Sequence, residues 1–179
     1  MNNIIYRPLQ LEECHRISEI DASQFIHRAY REVNGRRSLV DISYQDPTWP
    51  EGYEAHLHAL HKTLSDDGAA IGAFSEEGAL LGFISLNRPF FGKTCHHVLL
   101  DQLFITLSHR RKGIGKALFQ KAADIARIWK ADKLYICAGS AEETVHFYFA
   151  LGCREASEIH KEYYENDPRD FQLEYDLHL

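Results

Sequence analysis

The sequence predicts an α+β (α/β) fold, with a mixed, mostly antiparallel central sheet, one β-α-β unit and flanking helices. Three observations carry this. Strand-like runs are joined by tight turns at Asn34-Gly35 and Glu76-Glu77-Gly78, as in hairpins. Two segments carry apolar residues at helical spacing: Tyr53, Leu57, Leu60 and Leu64, then Ile114, Leu118, Ala122, Ile125 and Trp129. The second is bracketed by strand patterns at 98–107 and 134–137, and a strand–helix–strand passage of this kind pairs its strands in parallel.

The elements follow in order. Residues 4–9 read as a first strand ended by Pro8. Residues 11–20 read as a helix with Glu12 and Glu13 in its first turn, where the dipole favours negative charge. Strands at 25–33 and 36–44 flank Asn34-Gly35, a type I′ signal because both turn positions need positive φ. That turn sets Glu32 opposite Arg37 and Arg28 opposite Asp41, two favourable cross-strand pairs. After a proline-rich loop and the first amphipathic helix, strands are expected at 69–74, 79–86 and 98–107. A helix over 113–130, a buried strand at 134–137 and a helix over 141–151 closed by Gly152 come next. Two final strands, 155–164 and 171–177, are expected around Asn166-Asp167-Pro168.

A chain of 179 residues with 45% hydrophobic composition is expected to fold as one domain, 1–179. No run approaches the ~20 apolar residues of a membrane span, and the N-terminus lacks a secretory pattern. The four cysteines have no metal-ligand spacing and read as reduced thiols, so the expectation is a cytoplasmic protein. A net charge of -6 disfavours non-specific nucleic-acid binding. Of the eleven histidines, His56, His58 and His61 share a helix without the i, i+4 spacing of a metal pair. No metal, nucleic-acid or membrane partner is therefore expected.

The most informative segment runs from strand to helix through Arg110-Arg111-Lys112-Gly113-Ile114-Gly115-Lys116. A helix start exposes unpaired N–H groups and partial positive charge, glycine admits close approach, and the basic side chains add to both. Together they suit a pyrophosphate. The spacing is neither that of a Walker A loop nor that of a dinucleotide fingerprint, whose third glycine is missing.

At these residues the chain resembles the GNAT acetyltransferases, whose signature [RQ]-x-x-G-x-[GA] is met by Arg110, Gly113 and Gly115. Leu107 stands where the family usually has proline. A second family element, Phe-Tyr-x-x-x-Gly-Phe, is met by Phe147-Tyr148 and Gly152, with Cys153 replacing the last Phe. The usual asparagine before that helix is absent; Ser140-Ala141 stand there. The resemblance is strong over 98–153 and looser elsewhere, and residues 22–50 match no usable pattern.

The resemblance implies acetyl-CoA as cosubstrate and an amine-bearing acceptor. It implies that the backbone at Ile105 and Leu107 contacts the pantetheine arm. Arg110, Arg111, Lys112, Gly113, Ile114, Gly115 and Lys116 would hold the pyrophosphate. Tyr148 occupies the family's general-acid position, against its reading as a core aromatic, and Asp101 aligns with the acidic residue that some members use as base. The expected activity is direct acetyl transfer to a primary amine of a small molecule or exposed peptide. The alternative is an acyl-CoA-binding protein with a sensing role. Related folds often dimerise, so a homodimer is an open expectation; acceptor identity is not readable from the sequence.

Overall fold

The computed structural model describes residues 3–178. Its central sheet has seven strands in the order β1-β4-β5-β6-β7-β9-β8. They are β1 (Ile5–Pro8), β4 (Ala69–Phe74), β5 (Leu80–Leu86), β6 (His97–Ile105), β7 (Lys133–Ala138), β8 (Arg154–Glu155) and β9 (Phe171–Asp176). Every pairing is antiparallel except β6–β7. The exception is forced by the helix between them, α2 (Ile114–Ile128), which carries the chain back to the same end of the sheet. Pro8 is tolerated because β1 is an edge strand.

The sheet buries a different cluster on each face. Val98, Leu100, Leu134, Ile136 and Leu173 pack with Leu118 and Phe119 of α2 and Val145 of α3 (Glu142–Ala150). On the other face Ala70, Phe74 and Phe83 pack with Trp49, with Leu60 of α1 (Tyr53–Ser65), and with Cys14 and Ile17. Residues Leu11–Glu19 form a 3₁₀ helix rather than the predicted α-helix. Their buried side chains explain this: Cys14, Ile17 and Ile20 recur every three residues, the period of a 3₁₀ turn.

The hairpin of β2 (Gln24–Val33) and β3 (Arg36–Asp46) has the register read from the sequence, with Glu32 opposite Arg37 and Arg28 opposite Asp41. Asn34 and Gly35 have φ of 51° and 71°, as a type I′ turn requires. The hairpin forms its own sheet and leans on the start of α3. Tyr30 N–H donates to the Ser140 carbonyl at 2.8 Å, and Arg28 grips Glu142 at 2.7 and 2.9 Å.

The predicted strand at 155–164 is overturned. Only Arg154–Glu155 pair with β9, and Lys161–Asn166 form a short helix, α4. The cause is Glu174 on β9, fully buried and hydrogen-bonded by Lys133 and Arg154, each at 2.9 Å. Burial pushes its pKa up, but these two partners and the Ser157 N–H outweigh burial and hold it at about 2. Because Ser157 N–H goes to that carboxylate at 3.2 Å, the chain leaves the ladder and crosses the sheet face instead. Tyr163 of α4 then packs on Tyr135, with ring centroids 6.0 Å apart.

Candidate active site

The site begins where β6 and β7 part. Their parallel ladder runs from His97–Lys133 to Leu100–Ile136 and stops, although β6 continues to Ile105 and β7 to Ala138. On its other edge β6 stays paired to β5: Phe104 lies opposite Phe83, and Thr106 N–H donates to the Leu81 carbonyl at 2.8 Å. Alternation along a strand then turns the peptide groups of Leu103 and Ile105 towards the gap. The result is a short sheet edge in the middle of a sheet, a place where an extended ligand can add hydrogen bonds.

A β-bulge lies just before this edge. Between Ser85–Gln102 and Leu86–Leu100, β6 has one extra residue, Asp101. The bulge sends Asp101 and Gln102 together to the face covered by α1. Gln102 Oε1 lies 2.9 Å from His56 Nδ1, and the other nitrogen of that ring lies 2.6 Å from the Pro50 carbonyl. Burial raises the Asp101 pKa, against the opposing pull of His56 and Thr63. The carboxyl is thus poised to hold a proton more readily than an exposed aspartate.

After β6 the chain makes a 3₁₀ turn, Leu107–His109, and enters α2 through Gly113. Gly113 has φ of 84° and no side-chain cap, so the N–H groups of Ile114, Gly115 and Lys116 open the helix unsatisfied. Arg111, Lys112 and Lys116 are exposed around them. Ile114 anchors the helix start by its buried side chain. Gly115 keeps α2 close to α3: a Cβ there would lie 3.3 Å from the Phe147 ring. These features suit a pyrophosphate bound on one side by backbone and on the other by flexible cations.

Two predicted contacts are placed differently from the rest. Arg110 folds back: its Nε donates to the Ile105 carbonyl at 2.9 Å and its Nη2 lies 3.4 Å from the Asp21 carbonyl. Leu107 N–H is taken by the same Asp21 carbonyl at 2.9 Å. Both residues therefore hold the end of β6 in position. The gap-facing neighbour that the sequence reading missed is Leu103. The missing signal was the pairing parity with β5, which a single strand pattern does not contain.

Tyr148 lies on α3, buried, with Phe119 and Phe147 as ring neighbours at 6.3 and 5.1 Å. Burial raises its pKa, and Cys153 and Cys137 add to the shift, so the phenol stays protonated. Among the described residues its hydroxyl has no hydrogen-bond partner, which leaves its proton available. Burial likewise pushes the Cys137 and Cys153 thiols up to about 12, which rules against thiolate nucleophiles. Among the described residues no three His, Cys, Asp or Glu side chains converge as metal ligands. Among the described residues no helix is long and apolar enough to cross a membrane.

The family model described as "Acetyltransferase (GNAT) family" matches residues 36–153, about two thirds of the chain. The chain belongs to the GNAT acetyltransferase family. No curated protein matches it. Among solved structures it is similar to nourseothricin acetyltransferase, at 16% identity and a TM-score of 0.73 over 97% of this chain and 98% of that one. It is also similar to a Bacillus anthracis protein assigned as a streptothricin acetyltransferase and solved with acetyl coenzyme A, at 14% identity and 0.68 over 96% of each chain. The PaiA N-acetyltransferase of Thermoplasma acidophilum, solved with coenzyme A, gives 18% identity and 0.61 over 97% of this chain and 99% of that one. At these identities the likeness is one of fold, and the GNAT acetyltransferase site must be argued from this chain's own residues.

Proposed function

We propose that the protein is an N-acetyltransferase that moves the acetyl group of acetyl-CoA directly to a primary amine. The observation that carries this reading is the free edge of β6, released from β7 after Leu100 and followed at once by an uncapped, basic helix start. In this reading Leu103 offers its N–H and carbonyl to the pantetheine arm and Ile105 its N–H, the Ile105 carbonyl being held by Arg110. The N–H groups of Ile114, Gly115 and Lys116, with the side chains of Arg111, Lys112 and Lys116, hold the pyrophosphate. Gly113 supplies the left-handed turn that exposes those N–H groups.

The amine nitrogen attacks the thioester carbon, the C–N bond forms and the C–S bond breaks. The ammonium proton must leave first, and in this reading Asp101, at the bulge beside the gap, accepts it directly or through water. The departing sulfur takes a proton from Tyr148, whose burial keeps that proton in place until the sulfur gains charge. No covalent enzyme intermediate is needed, in keeping with Cys137 and Cys153, whose thiols stay protonated.

The test is thiol release from acetyl-CoA across polyamines, aminoglycosides, amino acids, peptides and nourseothricin, with the product treated with hydroxylamine. A hydroxylamine-stable acetyl product from at least one amine is expected, since amides resist that reagent. Thiol release that yields only hydroxylamine-labile esters, or no acetylated amine at all, would overturn the reading.

A further inference from the structure

On the face of the sheet opposite α2 and α3, a pocket of about 320 Å³ opens between β3, β8, α4 and β9, with Arg37, Glu155, Ile159, Tyr164, Asp170 and Gln172 among its walls. Asp170 immediately precedes β9, whose first residue pairs with Ala138, the last residue of β7. The pocket therefore lies at the end of β7 that has parted from β6. Two of its polar groups, the Asp170 carboxylate and the Gln172 Nε2, lack partners among the described residues.

The first is the half-buried Asp170 carboxylate, which makes no hydrogen bond or ion pair among the described residues. The neighbouring Arg169 is committed to Asp167 at 2.8 and 3.0 Å. Arg37 lies over the Phe171 ring at 3.8 Å and reaches Glu155 at 3.8 Å. Burial, with Asp167 and Glu51 as like-charged neighbours and Arg169 opposing them, raises the Asp170 pKa to about 6. Cys137 of β7, also close to it, stays a neutral thiol. A carboxylate in this state lacks the counter-charge that ion burial ordinarily requires.

The second is Gln172, 6% exposed, whose Nε2 has no hydrogen-bond partner among the described residues. Its orientation follows from its neighbours. Tyr135 Oη accepts the His160 N–H at 3.0 Å, so it donates its own proton to Gln172 Oε1 at 2.7 Å. The oxygen of the amide is thereby fixed on Tyr135 and the nitrogen is left with donors to spare. One unpaired acceptor carrying charge and one unpaired donor share a single pocket, with Ile159 and Tyr164 as apolar wall.

We propose that this pocket anchors a second cationic group of the acceptor, one bearing a neighbouring carbonyl or hydroxyl oxygen, so that the acceptor is at least a diamine. The ammonium meets Asp170 and the oxygen accepts from Gln172 Nε2, while the reacting amine lies at the gap near Asp101. Asp170 is a specificity residue here and takes no part in bond making. This assignment rests on the N-acetyltransfer reading above.

Three acceptors separate the contributions: pentylamine, cadaverine and lysine amide. In the wild-type enzyme kcat/KM should rise by about tenfold when the second ammonium is added, the scale of one charge-assisted hydrogen bond, and rise again with the carbonyl. Asp170→Asn should remove the first gain through KM, leaving kcat and the pentylamine rate unchanged. Equal rates for pentylamine and lysine amide in the wild type would overturn the assignment, as would an Asp170→Asn loss shared by all three amines. Calorimetric binding of lysine amide to wild-type protein gives a second reading that needs no turnover and no variant. Its affinity should fall by about tenfold in all as pH drops through about 6 and Asp170 is neutralised, and level off below that range. Binding that is absent or indifferent to pH there would also overturn it. Acetyl-CoA titrated in parallel keeps the two readings apart: its failure to bind sinks the transferase reading, whereas normal binding with no Asp170 effect sinks the diamine pocket alone.

Discussion

The basic turn is one run of residues, Arg110 to Lys116, whereas the pocket beside Asp170 draws its walls from β3, β8, α4 and β9. The first works through backbone N–H groups and exposed cations, which need a strand, a glycine and a helix in sequence order. The second works through buried polar side chains that meet only after the sheet has formed. The two also differ in electrostatic state. Arg111, Lys112 and Lys116 are exposed and hydrated, so their attraction is screened by salt. Asp170 and Asp101 are partly withdrawn from water, and burial raises both. A site for a common cosubstrate can be solvated and local, while selection among acceptors needs shape and desolvation.

The largest expected effect falls on the half of the sheet around β9. Glu174→Gln removes the charge that holds Lys133, Arg154 and Ser157 together, and should cost about 3 kcal/mol of folding stability, the scale of breaking a buried pair with one partner exposed. The pH dependence has a definite sign. The folded-state pKa of Glu174 is lowered to about 2, so its contribution is present above the ordinary carboxylate range and is lost as pH falls towards about 2. Urea denaturation of both proteins at pH 7 checks the magnitude, and an unchanged midpoint would show that Glu174 does not organise this half.

Tyr148→Phe tests whether the two halves meet at one proton. The substitution keeps the ring and its contacts with Phe119 and Phe147, so stability should change little. Steady-state kinetics with an efficient acceptor should show kcat lower by roughly 10²-fold and a nearly constant KM for acetyl-CoA. A near wild-type rate would make Tyr148 a packing residue and leave the thiolate to be protonated by water.

A smaller effect follows from the raised pKa of Asp170. A carboxyl whose folded pKa is raised stabilises the fold while protonated, and that contribution is lost as pH rises from about 4 through about 6. Asp170→Asn should therefore melt a few degrees higher than wild type above pH 7 and lose this advantage near pH 4, an effect of about 1 kcal/mol after discounting for solvent. Melting curves that do not converge at low pH would show that Asp170 is better solvated than the pocket implies.

The smallest effect belongs to the hairpin. Gly35→Ala forces a side chain into φ of 71° and should cost about 1 kcal/mol while leaving the register of Glu32 with Arg37 intact. Hydrogen exchange along β2 and β3 would report a slipped register.

What the sequence disclosed follows the same division. The hairpin register, the single parallel pairing and the glycine turn depend on spacing within one segment, and spacing is visible in a chain. The 3₁₀ helix at Leu11–Glu19 was hidden because its period is set by the wall it packs on, Cys14 to Ile20 against β4 and β5. The strand expected over 155–164 failed because Glu174, many residues later, takes the Ser157 N–H. The bulge at Asp101 and the free Leu103 edge required the β5 register, and Asp170 with Gln172 required β9 to be seated beside β7. Each missed feature depends on a partner distant in sequence.

The central claim is that acetyl-CoA is held at the start of α2. Gly113 is a poor probe of it, because any side chain at φ of 84° is strained whatever the ligand does. Lys112 and Lys116 are exposed, so Lys112→Glu combined with Lys116→Glu reverses the local charge without touching the core. Calorimetric titration of acetyl-CoA into the wild type and this double variant is the direct measurement. Affinity should be at least tenfold weaker in the variant, with a shallower dependence on salt. Equal affinity in a folded variant would place the cosubstrate elsewhere and contradict the claim.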